Sequence, residues 1–282
     1  MKKIHLILIS LFLVAFSGTA LAHQPRNPEG NEIVISDPEI SKAFYSKLDG
    51  EPHIYIISSD TPFVLYVNVL VPDIPNQKKD LYVKIVKDRD VDNPLSILDG
   101  NNYEWTKFFE PFGHDSYWMG PEYESDVESG EYQIIVSSEN NDTKYSLATG
   151  KIETFDFKES INALTMIPKN KREFFEKSPI DFILSPFGWG LIIVMFTLAF
   201  VFGFIYRLIL KRLAKNNIRK RHKNIGWKDR VIRLVLAVIL FVIAITTSWS
   251  PILLFFSGFT LFEAIFSWCG FYAAIGKNSC PI

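Results

Sequence analysis

The residues able to do chemistry in this 282-residue chain are few and far apart. His23, His53 and His114 supply imidazoles, Cys269 and Cys280 supply thiols, and Glu263 lies inside an apolar run, "GFTLFEAIFSWCGFY". If a leader is cleaved after Ala22, His23 becomes the amino terminus, and its amine and ring make two nitrogens of one chelate. A third nitrogen from His53 or His114 would complete a site suited to Cu(II). Two sulfurs alone make no closed zinc site, which takes four ligands. Cys269 and Cys280 therefore read either as membrane-edge packing residues or as a thiol pair able to carry a persulfide or a disulfide. A lone ionised carboxylate at mid-membrane costs about 2.5–3.5 kcal/mol, so Glu263 has to be neutral or paired. No GxSxG, HExxH, phosphate-binding loop or dinucleotide fingerprint occurs. The sequence thus supports no enzymatic activity and implies no cofactor beyond the copper alternative.

The elements that must carry these residues fall into two halves of opposite charge. His23 to Asp181 holds 29 Asp and Glu against 16 Lys and Arg, whereas Arg207 to Ile282 holds 12 bases against 2 acids. Two environments explain this split better than a nucleic-acid partner. Lys2 and Lys3, the apolar stretch from Ile4 to Phe16 and Ala20-Leu21-Ala22 have the order of a secretory signal over residues 1–22. The alternative is an uncleaved first membrane helix, for which the apolar core is short of ~20 residues.

The exported half, residues 23–152, alternates apolar and polar positions in "HIYIISS", "PFVLYVNVLV", "LYVKIVKD", "GEYQIIVSS" and "KYSLATG". This periodicity predicts an all-β sandwich, immunoglobulin-like or jelly-roll-like. It contains no cysteine, so it must fold without disulfides. "DVESGEYQIIVSS" resembles the tyrosine corner of immunoglobulin-like sandwiches, with Asp126, Gly130 and Tyr132 as its residues. "FFEPFGHDSYWMGPEY", residues 108–123, reads as a long aromatic loop that either plugs one end of the sandwich or binds a ligand. The His23 chelate, for its part, resembles the histidine brace of exported copper proteins.

Residues 153–182 read as a juxtamembrane linker whose short helix stops at Pro168. Residues 183–210 are apolar until Arg207 and long enough to span a bilayer. Two further apolar runs, Val231 to Thr247 and Pro251 to Ile275, are separated by "SWSP", so three membrane helices are expected. The segment from Arg207 to Arg233 carries 11 Lys and Arg in 27 residues and must stay cytoplasmic, which places the sandwich outside and the carboxyl terminus inside a bacterial-type plasma membrane. Counting along such a hairpin sets Glu263 opposite about position 235, within one turn of Arg233. An Arg233–Glu263 ion pair would satisfy the carboxylate; a proton or ion pathway would need more intramembrane polar groups.

"NIGWKDRVIRLVLAVILF" and "SWCGFYAAIGKNSC" carry a family resemblance. The residues are Asn224 and Gly226, then Asp229, Arg230 and Arg233, then Cys269 and Tyr272, and last Gly276, Asn278 and Cys280. In this order they resemble the YgaP-like bacterial transmembrane domain, a two-helix hairpin. The pattern usually has proline where this chain has Gly270. The resemblance implies a hairpin over 227–282, after a basic loop at 211–226, that is able to self-associate as a homodimer. It implies no sulfur transfer. The whole chain then reads as a membrane-anchored, non-catalytic binding or interaction module, in contact with membrane lipid and an unidentified extracytoplasmic protein or ligand. Metal handling through His23, or a cytoplasmic-face thiol relay through Cys269 and Cys280, are the alternatives.

Overall fold

The computed structural model describes residues 23–154, 156–213 and 223–279, so the secretory signal expected over residues 1–22 lies outside the described residues. The chain divides into two compact units that meet at Asp181–Phe182.

The first unit is a two-sheet β-sandwich. Among the described residues there are eleven strands: β1 (Gln24–Arg26), β2 (Glu32–Ile35), β3 (Lys42–Lys47), β4 (His53–Ser59), β5 (Phe63–Pro72), β6 (Tyr82–Lys87), β7 (Ser96–Asp99), β8 (Thr106–Glu110), β9 (Asp115–Val127), β10 (Gly130–Ser137) and β11 (Lys144–Thr149). One sheet runs β1-β3-β11-β5-β9-β8 and the other β2-β4-β10-β6-β7. Pairing is antiparallel except that β1 joins β3, and β2 joins β4, in parallel. The expected alternation fills the core: Leu65, Val67 and Val69 of β5 face Tyr55, Ile57, Ile85 and Ile134 of the second sheet, all buried. β5 is central, and its other face is covered as well from Asn68 onward.

Residues 108–123 are not a loop. They form the β8–β9 hairpin, with Thr106 opposite Met119 and Glu110 opposite Asp115. Adjacent aromatics on both faces hide a period of two, and Gly120 and Pro121 interrupt it. Gly120 is required there, because a Cβ would lie 2.6 Å from the Trp105 ring. The pairing of β9 with β5 shifts register in the same region, between Asn68 and Leu70.

Helix α1 (Phe157–Glu173) belongs to this unit rather than to a linker, and Pro168 lies inside it instead of ending it. Asp156 caps its start through the Glu159 N–H at 2.7 Å. An internal proline removes one helical hydrogen bond. What holds the helix past Pro168 is docking. Phe174 and Phe175 pack with Leu70, Tyr117 and Ala148, and Lys171 reaches the buried Asp115 at 3.0 Å. At the other end Glu159 takes two hydrogen bonds from Arg26, at 2.7 and 2.9 Å.

The second unit is helical. Helix α2 (Pro186–Leu213) is long and apolar enough to cross a membrane. Helix α3 (Trp227–Thr246) carries Lys228, Asp229, Arg230 and Arg233 in its first two turns. The third expected span is two elements, α4 (Pro251–Phe266), an apolar helix of 16 residues, and the short α5 (Gly270–Ile275). Of the three expected spans, one thus has the length and composition of a membrane helix by itself. The break falls at Ser267, whose φ of 51° ends α4.

Candidate functional site

That break gathers the polar residues of the helical unit. Glu263 lies in the last turn of α4, not at mid-helix, because the chain leaves the helix four residues later. The carboxylate is 6% exposed, and Oε1 accepts the N–H of Gly270 at 3.0 Å. Arg233 Nε lies 3.4 Å from Oε2, an ion-pair distance, but has no acceptor in hydrogen-bond geometry. Their contact is therefore charge to charge, while directed bonds to the carboxylate come from the Gly270 backbone and the Cys269 thiol.

Asn224 clamps the same turn. Its side-chain amide donates to the Cys269 carbonyl at 2.8 Å and accepts the Cys269 N–H at 2.7 Å. Its backbone N–H bonds to Ser267 O at 3.0 Å, and its carbonyl accepts the N–H of Ser279 at 3.1 Å. The Gly226 N–H and the Asp229 carboxylate both meet the Ser279 hydroxyl. Arg230 Nε donates to Ala264 O at 2.9 Å. Cys269 is buried and caps α5, its Sγ accepting the Tyr272 N–H at 3.4 Å. Gly276 ends α5 with φ 75°, and Asn278 follows; Cys280 lies outside the described residues. The ordered set of polar residues is thus mostly a network that fixes one turn, and the Cys269 thiol is enclosed by it.

The helix α2 also supports this turn. A Cβ on Gly270 would meet the Tyr206 ring at 2.3 Å, and one on Gly203 would meet the Phe262 ring at 2.6 Å. Trp268 packs against Tyr206 at 5.9 Å between ring centres. Tyr206, Ser267, Trp268 and Ser279 were not foreseeable as partners. Gly270 explains one of them: proline has no N–H for Glu263, and a Cβ there would meet the Tyr206 ring.

Residues 221–282 match the family model of the inner membrane protein YgaP-like transmembrane domain. The helical hairpin is similar to that domain. The YgaP-like match covers about a fifth of the chain and leaves α2 and the sandwich outside it. No curated protein sequence matches the chain. Two solved structures are similar to it at low level. The pre-peptidase C-terminal domain of a collagenase from Bacillus anthracis is 12% identical and covers 43% of this chain and 95% of that one, with a TM-score of 0.26. CorA, a surface-associated copper-binding protein of Methylomicrobium album BG8, is 8% identical over 45% and 100%, with a TM-score of 0.24. Neither likeness carries an argument about function.

In the sandwich the three histidines do not converge. His23 Nδ1 meets Ser41 Oγ at 2.5 Å. His53 is buried, with Nδ1 2.8 Å from Tyr145 Oη, and burial holds its pKa below the ordinary histidine value against the opposing charge of Asp49. His114 stands edge-on to Phe109 at 5.0 Å. Among the described residues no group of three His, Cys, Asp or Glu is arranged to hold a metal. His53 and His23 meet different partners, His53 Nδ1 the Tyr145 hydroxyl and His23 Nδ1 the Ser41 hydroxyl. Tyr132, 1% exposed, donates its hydroxyl to the Glu128 carbonyl at 2.7 Å, after Gly130 has turned the chain from β9, where Asp126 pairs with Val64.

The feature of the sandwich that points outward is the edge strand β8. Every residue from Thr106 to Phe109 is exposed, with Phe108 at 40% and Phe109 at 51%. Sheet edges are ordinarily guarded by charge or proline. Here the single lysine, Lys107, is drawn to Asp73 at 3.0 Å and over the Trp118 ring at 4.8 Å.

Proposed function

We propose that this is a three-pass membrane protein that holds a non-catalytic β-sandwich at the outer face of a bacterial-type plasma membrane, where the edge of the larger sheet receives an extended segment of a protein partner. The observation that carries the reading is β8. It is an outermost strand, its outward backbone groups are unpaired within the sheet, and two exposed phenylalanines follow Lys107. Strand addition at such an edge gives affinity through main-chain hydrogen bonds and selectivity through alternate side chains. Exposed aromatics are the residue type that dominates binding energy at protein interfaces. Ile97 of β7, the edge strand of the other sheet, is 45% exposed. The membrane half of the reading is supported by the length of α2, the YgaP-like match and the basic segment between α2 and α3.

The test is a photo-crosslinking phenylalanine analogue placed at Phe109 in living cells. A discrete adduct at 109 that is missing when the analogue replaces Val34, on β2, an edge strand of the other sheet, is expected. Normal levels of the protein with no adduct at 108 or 109 would contradict the reading.

A further inference from the structure

Two cations in the helical unit share one aromatic ring. The Arg233 guanidinium carbon lies 5.3 Å from the centre of the Tyr272 ring, and Lys277 Nζ lies 4.8 Å from it. The ring steadies each cation but does not neutralise either. Glu263, the carboxylate beside Arg233, is already engaged by the Gly270 N–H, and Asp229 is engaged by Ser279. Lys277 has no ion pair among the described residues, and its side chain is exposed. Two positive groups set on one ring, only one of them beside a carboxylate, make a place for an anion.

The surroundings say which anion. Phe271 and Ile275, on either side of Tyr272 in α5, are 68% and 57% exposed; Ile232 and Val235, beside Arg233 in α3, are 61% and 52% exposed. A free phosphate would gain nothing from these apolar flanks, whereas the acyl chains of a lipid would lie along them. We propose that Arg233 and Lys277, set on Tyr272, bind the phosphate of an anionic phospholipid at this end of the hairpin. A zwitterionic lipid brings its own cation and so leaves the two side chains partly uncompensated. The proposal rests on the reading that the hairpin lies in the membrane.

The experiment uses the purified full chain in a neutral detergent and reads its thermal midpoint with phosphatidylglycerol, phosphatidylcholine or inorganic phosphate added. Phosphatidylglycerol in excess of its dissociation constant is expected to raise the midpoint by about 3–6 °C. Phosphatidylcholine and inorganic phosphate are expected to leave it within about 1 °C, the size of shift expected when nothing binds the folded state selectively. Lys277→Gln, a substitution of an exposed side chain, should abolish most of the phosphatidylglycerol shift without lowering the lipid-free midpoint; Arg233→Gln should abolish it too. Lys151→Gln in the sandwich should keep it. An equal shift with phosphatidylcholine or inorganic phosphate, no shift with phosphatidylglycerol, or a shift that survives Lys277→Gln would overturn the proposal. A chain that stays in the soluble fraction on cell lysis would instead refute the membrane reading beneath it.

Discussion

Replacing Asp115 by asparagine should be the most damaging single change in the sandwich unit. Asp115 is 2% exposed and accepts from Lys171 at 3.0 Å on both oxygens and from Lys177 at 3.1 Å. The Lys171 side chain is fully buried, that of Lys177 a third exposed. Burial lowers the Lys171 pKa in spite of the attraction of Asp115, so its charge is held at a cost. Asp115→Asn leaves that ammonium without its counter-ion, a loss of about 3–5 kcal/mol. Lys171→Met is milder, about 1–3 kcal/mol, because Asp115 keeps Lys177. Asp115→Leu combined with Lys171→Met removes both buried charges and lets Lys177 turn to water. That pair should fall within about 1 kcal/mol of the native protein, far from additivity. For a unit of this size about 3–5 kcal/mol corresponds to about 6–20 °C in the thermal midpoint. Urea titration of soluble residues 23–181, followed through Trp105 and Trp118, measures all three. A loss below about 1 kcal/mol for Asp115→Asn, or a double substitution as harmful as the two single losses together, would refute the reasoning.

Two further outcomes follow from the buried polar groups. His53 is held neutral in the folded state while the unfolded chain takes up a proton near the ordinary histidine pKa of about 6.5. Its contribution is therefore complete above that pH and is lost as the pH falls below it. Urea midpoints of the sandwich unit should drop between about pH 7.5 and 5, and His53→Gln should flatten the drop; an unchanged slope in that variant would remove His53 as the cause. In the helical unit both Glu263→Gln and Glu263→Ala remove the carboxylate beside Arg233, but the glutamine keeps an acceptor for the Gly270 N–H and the alanine orphans it. The alanine variant should melt several degrees lower in detergent and the glutamine variant close to native; equal damage from both would mean that charge, not the directed bond, holds the turn.

The strands that were legible from sequence are those with one buried face. β4, β6 and β10 alternate because one side of each meets the core, and β5 reads as apolar throughout because it is central. The β8–β9 hairpin was not, since Phe108 and Phe109 are adjacent aromatics on opposite faces of an exposed edge. The helix through Pro168 was hidden because its stability comes from Lys171, Phe174 and Phe175 meeting residues more than 20 positions away, not from local propensity. The neighbourhood of Glu263 with Arg233 could be counted along two helices. The turn at Ser267 could not be, for it uses neither glycine nor proline and is held by Asn224 from across the hairpin. The partners of the histidines were not legible, because neighbours in a sandwich are set by sheet pairing, and His53 meets Tyr145, 92 positions away.

The most direct measurement is the sidedness of three positions in intact cells. In a chain with Cys280 replaced by serine, single cysteines at Asn140, Asn216 and Ser248 would be exposed in turn to a membrane-impermeant maleimide, the native Cys269 being buried. The account predicts labelling at 140 and 248 in intact cells, and at 216 only after the membrane is permeabilised. Labelling of 216 in intact cells, or protection of 140 or 248, would contradict a three-pass protein that carries its sandwich outside.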